Sequence, residues 1–185
     1  MGRELVEQAV AGDHDSFVML AAGAYGRLHG IARLILRDED AASDAVQEAL
    51  TSAWLHIRAV RDPDRFDAWL NRLAVHASYR ESRRRRARVV EIGVAARIDV
   101  PDGWDAVGAV DARDQLERGF RRLGPEQRAV LVVHHYLQLS DAEAAAVLGI
   151  PVGTVKSRLN RATTALRAAI EPDDRAPRVT REVPV

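Results

Sequence analysis

Apolar side chains along most of this sequence recur at spacings of three and four, and no stretch alternates apolar with polar in the two-residue period of a strand. Phe17, Leu20, Ala21, Ala24, Leu28, Ile31 and Ile35 form one such stripe, with Asp13 or Asp15 placed to cap the helix that carries it. A second helix begins near Asp40 and repeats the pattern through Ala45, Val46, Ala49, Ala53, Trp54 and Ile57. After Arg61-Asp62-Pro63, where Asp62 fits a cap and Pro63 a first turn, Phe66, Trp69, Leu70, Leu73 and Ala77 make a third stripe. With a short leader at Arg3–Ala11, these segments predict one helical bundle over residues 1–88. Phe66 and Trp69 lie on its buried stripe and are expected in the core.

The pattern fails between Val89 and Val110, where Gly93, Pro101, Gly103 and Gly108 interrupt it, and that segment reads as a linker. Helical spacing returns in Asp111–Leu123, Pro125–Leu137, Ser140–Leu148 and Val152–Ile170, a second unit over 111–170. The tail from Glu171 to Val185 carries Pro172, Pro177 and Pro184 and is expected to be disordered. The expected fold is therefore all-α: two small helical domains joined by a flexible acidic linker.

Charge adds a constraint. The 27 basic and 27 acidic side chains cancel, and a zero sum would ordinarily argue against nucleic-acid binding. Along the chain the charge is segregated. Eight acids face three arginines between Asp38 and Asp67, whereas Arg80–Arg88 holds six arginines and only Glu81. Four acids and no base occupy Asp99–Asp111, and Val152–Ile170 carries Lys156, Arg158, Arg161 and Arg167 with no acid. Blocks of alternating sign point to separate surfaces for separate partners.

The most informative stretch is Ser140–Leu159. Ser140 and Glu143 have the spacing of a capping box, small Ala145 permits a close helix crossing, and Gly149 supplies the positive φ that ends the first helix. Val147, Leu148, Ile150, Val155 and Leu159 would knit the pair together. The second helix presents Thr154, Lys156, Ser157, Arg158 and Arg161, short donors near its N-terminus followed by cations, as suits insertion in a major groove. These features together specify a DNA-binding helix-turn-helix over a plain helical hairpin.

Several motifs then converge. The run Arg37–Leu50 (RDEDAASDAVQEAL), Trp54, Phe66-Asp67-Ala68-Trp69-Leu70 and the arginine block resemble region 2 of extracytoplasmic-function sigma factors, and Gly149–Leu159 (GIPVGTVKSRL) resembles their region 4. The resemblance covers about Asp13–Arg88 and Asp111–Ala169, in the family's order. It implies an initiation subunit that joins core RNA polymerase, recognises minus-ten and minus-thirty-five promoter elements and helps melt the DNA. By resemblance Asp44, Gln47 and Glu48 dock on core polymerase, an acidic and amide surface suited to an arginine-rich partner. Arg58, Arg61, Arg65, His76, Arg80, Arg83 and Arg84 fall in the part that captures the unwound minus-ten strand, where unstacked bases need planar surfaces and the backbone needs cations. Arg85, Arg86 and Arg88 would follow phosphates. Thr154, Lys156, Ser157, Arg158 and Arg161 fall where region 4 reads the minus-thirty-five element. Asp99, Asp102 and Asp105 would line the acidic connector that threads toward the polymerase active centre.

The chain departs from the pattern. His76 and Arg80 stand where Asn and Asp are common, Gln138 where a Gly is common, Asp141 where an aromatic is frequent, and Thr163-Thr164 where cations are often found. These departures imply altered minus-ten reading and a weaker or shifted minus-thirty-five preference. The family often uses anti-sigma proteins, so a partner that clamps the two domains together and masks Asp44–Glu48 and the helix-turn-helix is expected.

The rival readings have less support. Adjacent His134 and His135 point to different helix faces, the other histidines lack ligand spacing, and the chain has no Cys and no phosphate-binding Gly loop. Neither catalytic residues nor a metal or other cofactor is expected. A helix-turn-helix regulator acting without core polymerase would normally bring a dimerisation surface instead of an acidic docking face. No apolar run reaches the length of a membrane span and the N-terminus lacks a signal peptide's hydrophobic segment, so a cytoplasmic protein without membrane insertion is expected.

Overall fold

The structure, a computed structural model, describes residues 2–91 and 110–170. The connector residues 92–109, with Asp99, Asp102 and Asp105, and the tail 171–185 lie outside the described residues. The described chain is helical throughout, with no strand: α1 (Arg3–Ala11), α2 (His14–Leu36), α3 (Glu39–His56), α4 (Phe66–Glu91), α5 (Val110–Arg121), α6 (Pro125–Leu131), α7 (Asp141–Leu148) and α8 (Val152–Ile170).

Local chemistry sets the boundaries. Asp13 caps α2 by accepting from the Ser16 amide, and Asp38 caps α3 by accepting from the Ala41 amide at 2.7 Å. After a first 3-10 turn at Ile57–Ala59, Asp62 accepts from the Asp64 amide and starts a second, Pro63–Arg65, that leads into α4. Ser140 and Glu143 form the reciprocal capping box of α7. Gly149 then leaves that helix at φ 64°. Beyond Leu131 the expected continuous helix widens into a π turn at Val132–Tyr136, with the Leu137 amide reaching back to the Val132 carbonyl.

Two apolar cores result. The first, inside α1–α4, is built on Phe17, Leu20, Leu28, Val46, Phe66 and Leu70. As expected, Phe66 is buried; Trp69 is half-buried against that core, and Trp54 packs edge-on to His14. The second core was not expected from the two-domain plan. Ile31 and Ile35 of α2 and Val75 and Tyr79 of α4 join Leu123, Val130, Val133, Leu148 and Val155 in one cluster. The helix-turn-helix unit therefore does not hang free on a tether: it is docked on the outer face of the first bundle. Isolated segments predict their own amphipathic faces, but whether two such faces meet depends on residues 40 to 120 positions apart, which periodicity does not report.

Polar contacts follow this seam. Arg128, 5% exposed, donates from Nε to the Ile35 carbonyl at 2.7 Å and from Nη1 to the Leu123 carbonyl. Ile35 lies in the last turn of α2, where carbonyls lack helical partners, so an arginine from α6 caps α2 across the domain boundary. Arg37 pairs with Glu117, and Arg72 with Glu143 at 2.9 Å.

Candidate nucleic-acid interface

Helix α8 buries Val155 and Ala162 and turns a different face outward. Gly153, Lys156, Ser157, Asn160, Arg161 and Thr164 are all exposed, and their spacings of three and four place them on one side. Lys156 and Arg161 project from that side as expected, and the Arg161 Nε donates to the Ser157 carbonyl at 3.2 Å. The Ser157 hydroxyl donates to the Thr154 carbonyl, and Thr154 is half-buried at the helix start. The amide of Asn160, suited to bidentate contact with adenine, shares this face and is absent from the sequence reading. The three- and four-residue spacing from Lys156 and Ser157 could have found it.

Arg158 behaves differently. It is 22% exposed, its Nη1 donates to the Tyr79 hydroxyl at 2.7 Å and its Nη2 lies 3.1 Å from Glu126. It is thus the one cation of the five recognition-helix residues that faces α4. Lys156 lies 3.9 Å from Asp141, the residue that stands in place of the frequent aromatic. The other notable substitution, Gln138, takes φ 57°. A left-handed backbone there explains why a Gly is common at this position.

In the first bundle, Asp44 and Gln47 are exposed on the outer face of α3 and Glu48 is half-buried. They border a shallow groove with Thr51, Leu55 and His56. Leu55, at 71% exposure, gives this acidic face an apolar anchor that charge patterning alone did not reveal.

Arg58, Arg61, His76 and Arg83 are exposed and make no ion pair among the described residues, whereas Arg65 lies 3.5 Å from Asp62. Arg80 and Arg84 project from α4 back to α3, and both pair with Glu48, Arg84 at 3.0 Å. An acid of the expected docking face therefore neutralises two arginines of the expected DNA track. Farther along, Arg85 is held by Asp38 at 2.8 Å, and its guanidinium keeps the Asp38 carboxyl below the usual carboxylate range. Much of the balanced charge is local pairing inside the fold. At the surface such pairs are weak, about 0–1 kcal/mol, and can be exchanged for a phosphate or a partner's side chain.

Two family models match the chain: sigma-70 region 2 over residues 21–88 and sigma-70 region 4 over residues 113–166. The chain is 35% identical over 163 residues to the ECF RNA polymerase sigma factor SigM of Mycobacterium tuberculosis, spanning 88% of this chain and 81% of SigM. The chain belongs to the extracytoplasmic-function sigma factor family. It is an alternative RNA polymerase sigma factor, a class of initiation factor rather than of catalyst. SigW of Bacillus subtilis is 27% identical over 179 residues, spanning 90% of this chain and 95% of SigW.

Among solved structures, the sigma factor RpoE in complex with the anti-sigma factor NepR from Bartonella quintana matches with a TM-score of 0.62 and 27% identity, over 84% of this chain and 95% of that one. CnrH in complex with the cytosolic domain of CnrY matches with a TM-score of 0.55 and 31% identity, over 92% and 97%. Among the described residues no helix is long and apolar enough to cross a membrane, and no cluster of three His, Asp or Glu is arranged to hold a metal ion.

Proposed function

We propose that this sigma factor divides its work between two faces of opposite chemistry. Residues 1–88 act as region 2, with Asp44, Gln47 and Glu48 docking on core RNA polymerase and Leu55 anchoring the contact. Arg58, Arg61, Arg65, His76, Arg80, Arg83 and Arg84 engage the unwound minus-ten strand. Residues 89–110 connect, and residues 111–170 act as region 4, where Thr154, Lys156, Ser157, Arg158 and Arg161, joined by Asn160, read the minus-thirty-five element. The chain carries out no reaction of its own, uses no cofactor and works in the cytoplasm, where an anti-sigma protein of the kind named for its structural neighbours restrains it.

One observation carries this reading. Asp44 and Gln47 of α3, and Lys156 and Arg161 of α8, are each exposed together on one helix face, on different units of the fold. Neither set is consumed by packing, so each is available to a partner of opposite charge.

A separation-of-function pair tests it. Asp44→Arg with Gln47→Arg should abolish co-purification with core polymerase while region 4 retains its affinity for minus-thirty-five duplex. Lys156→Glu with Arg161→Glu should do the reverse. Loss of both activities in either variant would mean that the surfaces are misassigned.

A further inference from the structure

Of the 27 lysines and arginines in the chain, Lys156 is the single lysine, and there is no cysteine. The difference is one of reactivity rather than of charge. A guanidinium stays protonated and does not attack a carbonyl carbon, whereas an ε-amine in its free form is a nucleophile and an acceptor of acyl groups. The chain therefore offers an acyl donor one side-chain amine, with no thiol to compete for it. That amine stands on the outward face of α8, on a side chain 67% exposed, and shares the face with Ser157 and Arg161.

Its surroundings make its charge matter. Helix α8 carries no acid, so its charged neighbours along the helix are all cations. Among the described residues Lys156 pairs only with Asp141 of α7, Nζ to Oδ2 at 3.9 Å, and the other oxygen of that carboxylate lies 4.0 Å from the His134 Nε2. Neutralising Lys156 removes a cation from the face that meets DNA. In the same step it leaves the Asp141 carboxylate unbalanced at the edge of that face. Both changes oppose a polyanion.

We propose that Lys156 is an acylation site, taking an acetyl group or a similar one from an activated acyl donor, and that its acylation withdraws region 4 from the minus-thirty-five element while core docking persists. This rests on the region 4 and docking roles assigned above. The ammonium gives one proton to solvent, and the amine then attacks the carbonyl carbon of the donor. A C–N bond forms, the bond from that carbon to sulfur or phosphate oxygen breaks, and the departing thiolate or phosphate takes up the second proton. The product is a neutral amide that no longer pairs with a phosphate. Asp44, Gln47 and Glu48 carry no amine, so one modification separates the two activities of the chain.

To test this, the full chain is treated with acetyl-CoA in one arm and acetyl phosphate in the other. The reagent is removed before core polymerase is added, so that only the sigma factor is modified. Peptide mass mapping should find Lys156 acetylated, and the arm that reacts identifies a thioester or an acyl phosphate as the donor class. The acetylated protein should co-purify with core polymerase as the untreated protein does. Its holoenzyme should bind a duplex promoter fragment about tenfold more weakly than the untreated holoenzyme, with the salt dependence lowered by about one. Lys156→Gln should behave like the acetylated protein. Lys156→Arg cannot be acylated, so its promoter affinity should be the same before and after treatment. A fall in that variant would trace the effect to another modified group and overturn the inference. Lys156 left unmodified in both arms would overturn it too, as would full promoter affinity in the acetylated holoenzyme or loss of its hold on core polymerase. An untreated holoenzyme that binds no promoter is a different failure: it strikes the region 4 assignment, and the inference falls with it.

Discussion

Replacing Arg128 with Met tests the energetics of the seam at its most buried charge. The Ile35 and Leu123 carbonyls both lose a guanidinium donor in a dry environment. An orphaned buried acceptor costs about 1–3 kcal/mol, so the pair accounts for about 2–6 kcal/mol. The loss of a cation at the C-terminal end of α2 adds about 0.3–1 kcal/mol. Opposing this, burial, together with nearby Arg37, pushes the Arg128 pKa down to about 10. Removing the charge therefore relieves about 3 kcal/mol. The thioether roughly fills the vacated stem, which keeps any cavity small. The terms sum to between about −1 and +4 kcal/mol, centred on a net destabilisation of about 2 kcal/mol. Urea unfolding should show a lower midpoint, with a shallower slope if region 4 detaches before the first bundle melts. The first core, within α1–α4, should persist because the carbonyls that Arg128 binds belong to Ile35 and Leu123 of the second core. A gain in stability of more than about 1 kcal/mol over the wild type would refute the view that these two carbonyls depend on Arg128.

Three further outcomes are expected. Gln138→Gly should stabilise the protein by about 0.5 kcal/mol in thermal unfolding, because φ 57° strains a side chain but not Gly, and Gly's greater unfolded entropy tempers the benefit. Acid should weaken the fold in a defined direction: Arg85 holds Asp38, and Arg37 holds Glu117, below the usual carboxylate range. Their contribution is complete above that range and is lost as pH falls through the lowered folded values, so unfolding midpoints should hold between about pH 7 and 5 and decline below about pH 4. Lys156→Glu with Arg161→Glu should weaken minus-thirty-five binding by about a hundredfold or more, at about 1–3 kcal/mol for each side chain withdrawn from the DNA, and should lower the salt dependence by about one for each phosphate no longer neutralised.

What the sequence made legible was local. The capping box of Ser140 and Glu143, the left-handed exit at Gly149, the Asp62 cap before Pro63 and the stripes of α2, α3 and α8 depend on neighbours within a few positions, and all are present. The π turn at Val132–Tyr136 was not legible, because nothing in its composition separates it from the helix it extends. The docking of region 4 on α2 and α4 was hidden for a different reason. Ile31 and Ile35 looked like ordinary stripe residues and Val75 and Tyr79 fell outside the stripe read for their helix, and only folding shows that all four face a second unit. Residue roles were blurred likewise. Arg158 carried the same signal as Lys156 and Arg161, yet its place around the helix turns it to Tyr79 while those two face outward. Glu48, grouped by sequence with Asp44 and Gln47, also clamps Arg80 and Arg84, a pairing across 32 and 36 residues that charge patterning averages away.

The central claim is that this chain directs core RNA polymerase to promoters of its own. Run-off transcription of genomic DNA by purified core polymerase, with and without the folded protein, tests it most directly. The account predicts a set of discrete start sites that appear only when the protein is added, preceded by common sequence elements about 10 and 35 base pairs upstream. It also predicts that these start sites vanish with Lys156→Glu and Arg161→Glu. Active core polymerase that gains no new start sites from the folded protein would contradict it.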